Sequence, residues 1–201
     1  MAKGIYRTMT EQVADHLRYD IVSGTLAENS FLKEQELSDR FQVSRGTIRH
    51  ALMQLVREGI VTSTPNIGMK VASRPTDEAL QLIITMREEI EAQVLRMVWD
   101  NLREHHLADW ERLLKAMEIA AARDDLGEFI EADMQFHRYF ISLYPDKHIL
   151  ELWEAVRARM MLRYDRLRSL KAGAKEHRAI YAAVKKGNYD EAVANLKINV
   201  V

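Results

Sequence analysis

Asp133 and His137 stand one helical turn apart, so their side chains project from the same face. His177 follows on a later segment with helical patterning. A carboxylate and two imidazoles on facing helices of a bundle suit a divalent metal (Zn, Ni or Mn). The same residues also read as polar core side chains with local hydrogen bonds. A metal held by Asp133, His137 and His177 opens a further alternative, metal-assisted hydrolysis. A second constellation is cationic. Arg45 and Arg49 lie one turn apart, with Ser44, Thr47 and His50 nearby. An arginine fork can hold O6 and N7 of guanine in the major groove or clamp phosphates, and the hydroxyls and imidazole add phosphate contacts. The alternative is a solvated basic face. A third feature is Arg87, set on the apolar stripe of Ile83, Ile84 and Ile90. A buried arginine is costly unless paired, and a carboxylate ligand would satisfy it. Arg157, Arg159 and Arg163 read as exposed charges, and His105, His106 and His148 as surface residues.

The elements that carry these residues follow from spacing. Ile48, Ala51, Leu52, Leu55 and Val56 repeat as one face of a helix. Ser44 precedes it as N-cap and Gly59 follows as a left-handed stop. A shorter helix from Glu34 to Phe41 and a turn at Gln42-Val43 come before it. Two helices joined by a tight turn, the second with a basic exposed N-terminal half, describe a helix-turn-helix with its recognition helix. Thr10 to Ser23 forms a first helix, stopped by Gly24. Lys33 cannot cap the second helix with its side chain. Residues 60–64 and 69–72 read as two strands around Pro65-Asn66-Ile67-Gly68, a wing in which Gly68 allows close backbone approach and Lys70 supplies a cation. Ser73 to Asp77 is a linker, where Pro75 opposes a continuous helix. Six helices fill the remainder: 78–102, 110–122, 126–143, one after Pro145-Asp146, 174–186, and a last one from Tyr189. His105 to Asp109 reads as a break. The expected fold is mainly α, with a DNA-binding domain over 1–74, a linker at 75–77 and an all-helical bundle over 78–201.

Composition narrows the classes. The 201 residues contain no cysteine, which removes disulfides, thiolate metal sites and cysteine nucleophiles. The N-terminus lacks a signal-peptide core, and no apolar run approaches membrane-spanning length, so a cytoplasmic location is expected. The net charge is −1, which argues against a nonspecific nucleic-acid coat. Residues 1–74 nevertheless hold ten Lys/Arg against eight Asp/Glu, while the rest of the chain is acidic on balance. No H-E-x-x-H, G-x-S-x-G or phosphate-binding glycine loop occurs. A hydrolase would leave the helix-turn-helix without a purpose. A purely structural interaction protein is the remaining alternative.

The stretch E-L-S-D-R-F-Q-V-S-R-G-T-I-R-H-A-L-M-Q-L-V-R-E-G-I-V resembles the winged helix-turn-helix of the GntR family of bacterial transcription regulators. The match rests on Glu36, Leu37, Val43, Ser44, Arg45, Arg49, Ala51, Leu52, Leu55, Glu58 and Gly59. The remaining chain resembles the FCD ligand-binding domain of the FadR branch. This resemblance implies a metal site of Asp133, His137, His177 and a last position that falls on Asn199, where relatives carry histidine and where an amide oxygen makes a weaker ligand. It also implies a small organic acid held by the metal and by Arg87. Relatives carry a cation at the wing tip, which is missing here, and an arginine where this chain has Gln35. The expected protein is a ligand-responsive repressor, a homodimer on palindromic operator DNA, with a small carboxylate effector and no membrane partner.

Overall fold

The computed structural model describes residues 8–162 and 169–200. Arg163 lies outside them. The chain divides into two compact units. The first contains the residues up to Thr76 together with a stretch from Ala158, and the second contains Asp77–Arg157 and the last two helices.

The first unit holds α1 (Met9–Val22), α2 (Glu34–Phe41), α3 (Arg45–Glu58), β1 (Val61–Thr64) and β2 (Gly68–Val71). Its starts and stops are chemical. Thr8 and Glu11 form a reciprocal capping box at α1: the Thr8 hydroxyl accepts from the Glu11 amide at 3.2 Å, and the Glu11 carboxylate accepts from the Thr8 amide at 2.6 Å. Ser44 Oγ accepts from the Thr47 amide at 3.1 Å and starts α3. Gln42 and Gly59 end α2 and α3 in left-handed conformations, at φ 54° and 82°. Lys33 stands at the N-cap of α2 with no side-chain cap bond. Leu17, Ile48, Leu52 and Leu55 are fully enclosed where α1 and α3 pack together. Arg18 is buried beside them. Its Nε and Nη2 donate to the two Glu58 carboxylate oxygens at 2.9 and 2.7 Å, which compensates its desolvation. β1 and β2 pair antiparallel from Val61↔Val71 to Thr64↔Gly68, leaving Asn66 and Ile67 exposed at the tip. Ala158 and Leu162 belong to the apolar cluster of this unit.

The second unit is helical: α4 (Asp77–Val98), a short 3-10 turn (Trp99–Asn101), α5 (Glu104–Arg123), α6 (Leu126–Ser142), α7 (Lys147–Met161) as far as Arg157, α8 (Leu170–Lys185) and α9 (Tyr189–Val200). Among the described residues, strand occurs only in the wing. Helices α5 and α6 pack on one another, α8 packs on α5 and α9, and α4 lies against α6 and α9. Trp110, Phe136, Phe140, Trp153, Ile180 and Leu196 fill the space between them. The Trp110 indole donates to the Phe136 carbonyl at 3.0 Å, so its polar edge is satisfied in the core.

Two expected boundaries are corrected. His105 to Asp109 are the opening turns of α5, not a break. The chain turns instead at Leu102, which is extended, and His106 Nδ1 accepts from the Arg103 amide at 3.1 Å to hold the helix start. Helix α8 begins at Leu170, ahead of the expected Ala174, because Ser169 caps it by accepting from the Ala172 amide. No helix among the described residues is long and apolar enough to cross a membrane.

Candidate functional site

The first candidate surface is the outer face of α3. Arg45, Arg49 and His50 are exposed there, with Thr47 half-buried. The Ser44 hydroxyl is shared between the Thr47 amide and, at 2.9 Å, the Thr47 hydroxyl, so its first task is capping. The two arginines do not stand alone. Glu34, on the first turn of α2, accepts from Arg49 Nε and Nη2 at 2.7 and 2.8 Å and lies 3.5 Å from Arg45 Nη2. The hydrogen bonds from Arg49 keep the Glu34 carboxyl below its ordinary range. In the wing, Gly68 has φ 110° and nothing within 4 Å of where a Cβ would stand, so its backbone is open to a partner. Lys70 is held back: its ammonium sits 4.2 Å from the Phe31 ring centre. Gln35 donates to Asp39 at 2.9 Å.

The second candidate is buried in the helical unit. Asp133 and His137 come from α6, His177 from α8. One ligand atom from each lies within 4.8 Å of the others. His177 Nε2 is 2.6 Å from Asp133 Oδ1 and 3.0 Å from His137 Nε2, and His137 Nε2 is 3.6 Å from Asp133 Oδ1. Both rings are fully enclosed.

The outward nitrogens fix the tautomers. His177 Nδ1 lies 2.7 Å from the Gly173 carbonyl, which can only accept. His137 Nδ1 lies 2.8 Å from Glu91 Oε2, an ionised carboxylate that can only accept. Each Nδ1 therefore carries a hydrogen, and in the neutral rings each Nε2 presents a lone pair. Two lone pairs and a carboxylate oxygen face one another in the buried interior. Such a set is satisfied by a cation placed among them, a divalent metal or an added proton. Burial alone would raise the Asp133 carboxyl, but in the form where the added proton sits on His177, the imidazolium charge and its Nε2–H bond hold the carboxyl well below the ordinary range. Burial lowers the His137 imidazole, with Glu91 opposing.

Sequence reasoning placed Arg87 beside a ligand carboxylate, and the structure places it beside a protein one. Arg87 Nε donates to Glu91 Oε1 at 2.6 Å. The same oxygen accepts from Trp153 Nε1 at 2.7 Å. Burial would raise the fully enclosed Glu91, but Arg87 and His137 hold it down at about 2. Asn199 is buried against His177, with Nδ2 3.2 Å from His177 Nδ1 and 3.1 Å from Glu176 Oε2, while its Oδ1 has no hydrogen-bond partner among the described residues. The amide thus meets the ring on the edge opposite Nε2. Arg157, expected to be exposed, is buried beside the Trp153 ring and pairs with Glu154 at 3.1 Å. It is covered because α7 turns that face toward Met134 of α6. The roles of Glu91 and Trp153 were not legible from sequence; the i, i+4 spacing of Arg87 and Glu91 signals only the pair between those two.

Comparison with known proteins finds a family match for each unit. Residues 9–71 match the bacterial regulatory proteins, gntR family, and residues 82–198 match the FCD domain. The chain is 26% identical over 186 residues to the HTH-type transcriptional repressor RspR of Escherichia coli, covering 90% of this chain and 81% of that one. It is 28% identical over 142 residues to the gluconate operon transcriptional repressor of Bacillus licheniformis, covering 71% and 58%. Among solved structures, a GntR-type transcriptional regulator of Rhodococcus superposes with a TM-score of 0.69 at 25% identity, over 95% of this chain and 93% of that one. Escherichia coli McbR/YncC shares the fold at a TM-score of 0.73, with 20% identity and coverage of 96% and 94%.

Proposed function

The chain belongs to the bacterial GntR family of regulatory proteins, with an FCD domain behind its winged helix-turn-helix, and we propose that it is a repressor that releases its operator on binding a small carboxylate. Members of this family are DNA-binding transcription regulators and not enzymes. In the proposed mode, a homodimer sets two α3 helices into successive major grooves of a palindrome, because one recognition helix reads only a few base pairs. Arg45 and Arg49 read bases or clamp phosphates, while Ser44, Thr47, His50, Gly68 and Lys70 contact the backbone.

The observation that carries the sensing half is the convergence of His137 Nε2, His177 Nε2 and Asp133 Oδ1, with both Nδ1 atoms already engaged. Asp133, His137 and His177 would hold a divalent ion such as zinc, nickel or manganese, and Asn199, which touches His177 at Nδ1, would join them as a weak fourth donor only by turning toward the Nε2 side. A bound ion supplies positive charge and open positions for a carboxylate. Arg87, which pairs with Glu91 and whose charge also acts on Asp133 and His137, is the cation of this site proposed to face the effector carboxylate. Effector binding shifts the population between sensor states that differ in operator affinity.

The test is a selection from random duplex DNA, followed by fluorescence anisotropy on the selected site. Small carboxylates are added to zinc-loaded and to chelator-treated protein. A palindrome bound by two chains and released by a carboxylate in the zinc-loaded form is expected. DNA bound by a single chain, or release that is identical after chelation, overturns the dimer or the metal respectively.

A further inference from the structure

We infer that Glu91 is a positioning residue for the metal centre: by accepting from Arg87, Trp153 and His137 together, it locks His137 in the tautomer whose Nε2 lone pair faces Asp133 and His177. The inference rests on the metal reading above and adds the residue that prepares the centre.

Glu91 is fully buried on α4. Its two oxygens have divided tasks. Oε1 accepts from Arg87 Nε at 2.6 Å and Trp153 Nε1 at 2.7 Å, and Oε2 faces His137 Nδ1 at 2.8 Å. Both partners of Oε1 are obligate donors, since neither an arginine Nε–H nor an indole N–H can accept. Oε2 is left as the acceptor for an imidazole N–H, and a carboxylate at that place admits only the Nδ1–H form. His137 Nε2 is then bare, 3.0 Å from His177 Nε2. A carboxylate behind a ligating histidine also raises the basicity of the ring, which strengthens its bond to a cation. His177 is fixed in the same sense by a different device, the Gly173 carbonyl at 2.7 Å. The two rings are therefore preset from two separate helices, one by a charged acceptor and one by a neutral acceptor.

Glu91→Gln preserves shape and inverts this logic. The amide oxygen must remain at the two donors, Arg87 and Trp153, because turning the NH2 group toward them would set donors against donors. The NH2 group then faces His137 Nδ1 and requires a lone pair there. The ring hydrogen moves to Nε2, the atom that would bind metal, and ligation is blocked.

The experiment uses the full chain, with histidine side chains read by long-range 1H–15N NMR in metal-free protein and zinc affinity read by competition with a chromophoric chelator. In the parent, His137 is expected in the Nδ1–H form. In Glu91→Gln it is expected in the Nε2–H form, with zinc bound roughly 10–100-fold more weakly. A parent protein whose His137 is already Nε2–H overturns the inference without any variant, as does Glu91→Gln that keeps the Nδ1–H form and the parent affinity. If Glu91→Gln shows no cooperative melt, the parent spectrum alone decides. A parent that binds no zinc while the tautomer still inverts would remove the metal reading and leave the positioning role in place.

Discussion

Glu34 holds Arg49 by both carboxylate oxygens, at 2.7 and 2.8 Å, across the turn of the helix-turn-helix. The pair sits on the face expected to meet DNA, with Arg45 3.5 Å from the same carboxylate. A bond whose arginine is this exposed adds little to stability. Its consequence lies in binding. It holds the Arg49 fork in one orientation and keeps a negative charge beside two cations that would otherwise seize any phosphate.

Glu34→Gln should therefore bind nonspecific DNA more tightly and show a steeper salt dependence, because two arginines are released toward phosphates. Arg45→Ala and Arg49→Ala should weaken operator binding roughly ten- to hundredfold where the side chain reads a base. Anisotropy titrations on operator and scrambled duplex, at several salt concentrations, give both the affinity ratio and the slope. An unchanged ratio in Glu34→Gln, or parent-like operator binding by both alanine variants, would remove the assignment of this face.

The second helix offers a stability test. Lys33 has extended N-cap geometry, at φ −84° and ψ 121°, but no side-chain bond to the helix amides. Lys33→Ser supplies the missing acceptor and should stabilise the first unit by about 1 kcal/mol. Urea denaturation followed by circular dichroism measures it. No gain would mean that water already satisfies those amides as well as a hydroxyl does.

The readable and unreadable parts of this chain divide by sequence distance. Helix α3 follows its predicted bounds because its start and stop signals, Ser44 and Gly59, lie at the helix ends themselves. The start of α5 was hidden, since two adjacent histidines suggested a loop while the actual start depends on His106 accepting from Arg103. Asp133 and His137 share a helix face by local spacing. Glu91 meets His137 and Trp153 across 46 and 62 residues, and no local pattern encodes such a meeting. Arg157 looked like surface charge because burial of an arginine depends on which helix covers it.

Gly173 is a packing requirement rather than a turn. A Cβ there would stand 2.9 Å from Phe129 Cζ, and Phe129 is itself buried. Gly173→Ala should cost about 1–3 kcal/mol through overpacking, against the usual helix preference for alanine. It should also loosen zinc, because the Gly173 carbonyl holds His177 Nδ1. Gly46→Ala is the contrast. Its Cβ would meet only Ser44 Oγ at 3.7 Å, so it should stabilise by about 0.5–1 kcal/mol. Thermal melts of the two variants should move in opposite directions, and a shared sign would refute the packing account.

The proposed metal site is tested through its ligands. Asp133 and His137 alone come from one helix face and cannot enclose an ion, so His177→Ala should abolish zinc binding. Asn199 is a different case. Its Oδ1 is buried without a hydrogen-bond partner among the described residues, and its Nδ2 leans on the far edge of His177. A neutral oxygen is a poorer donor than imidazole for zinc or nickel. Zinc bound to the parent should therefore be stripped by a moderate chelator, and Asn199→His should tighten it by adding a nitrogen donor from α9. The measurements are metal content after purification without chelator, then zinc titration of the parent and both variants by calorimetry. Equal and negligible binding in all three would make the histidines core residues whose facing nitrogens share a proton, and the effector would then be recognised without a metal.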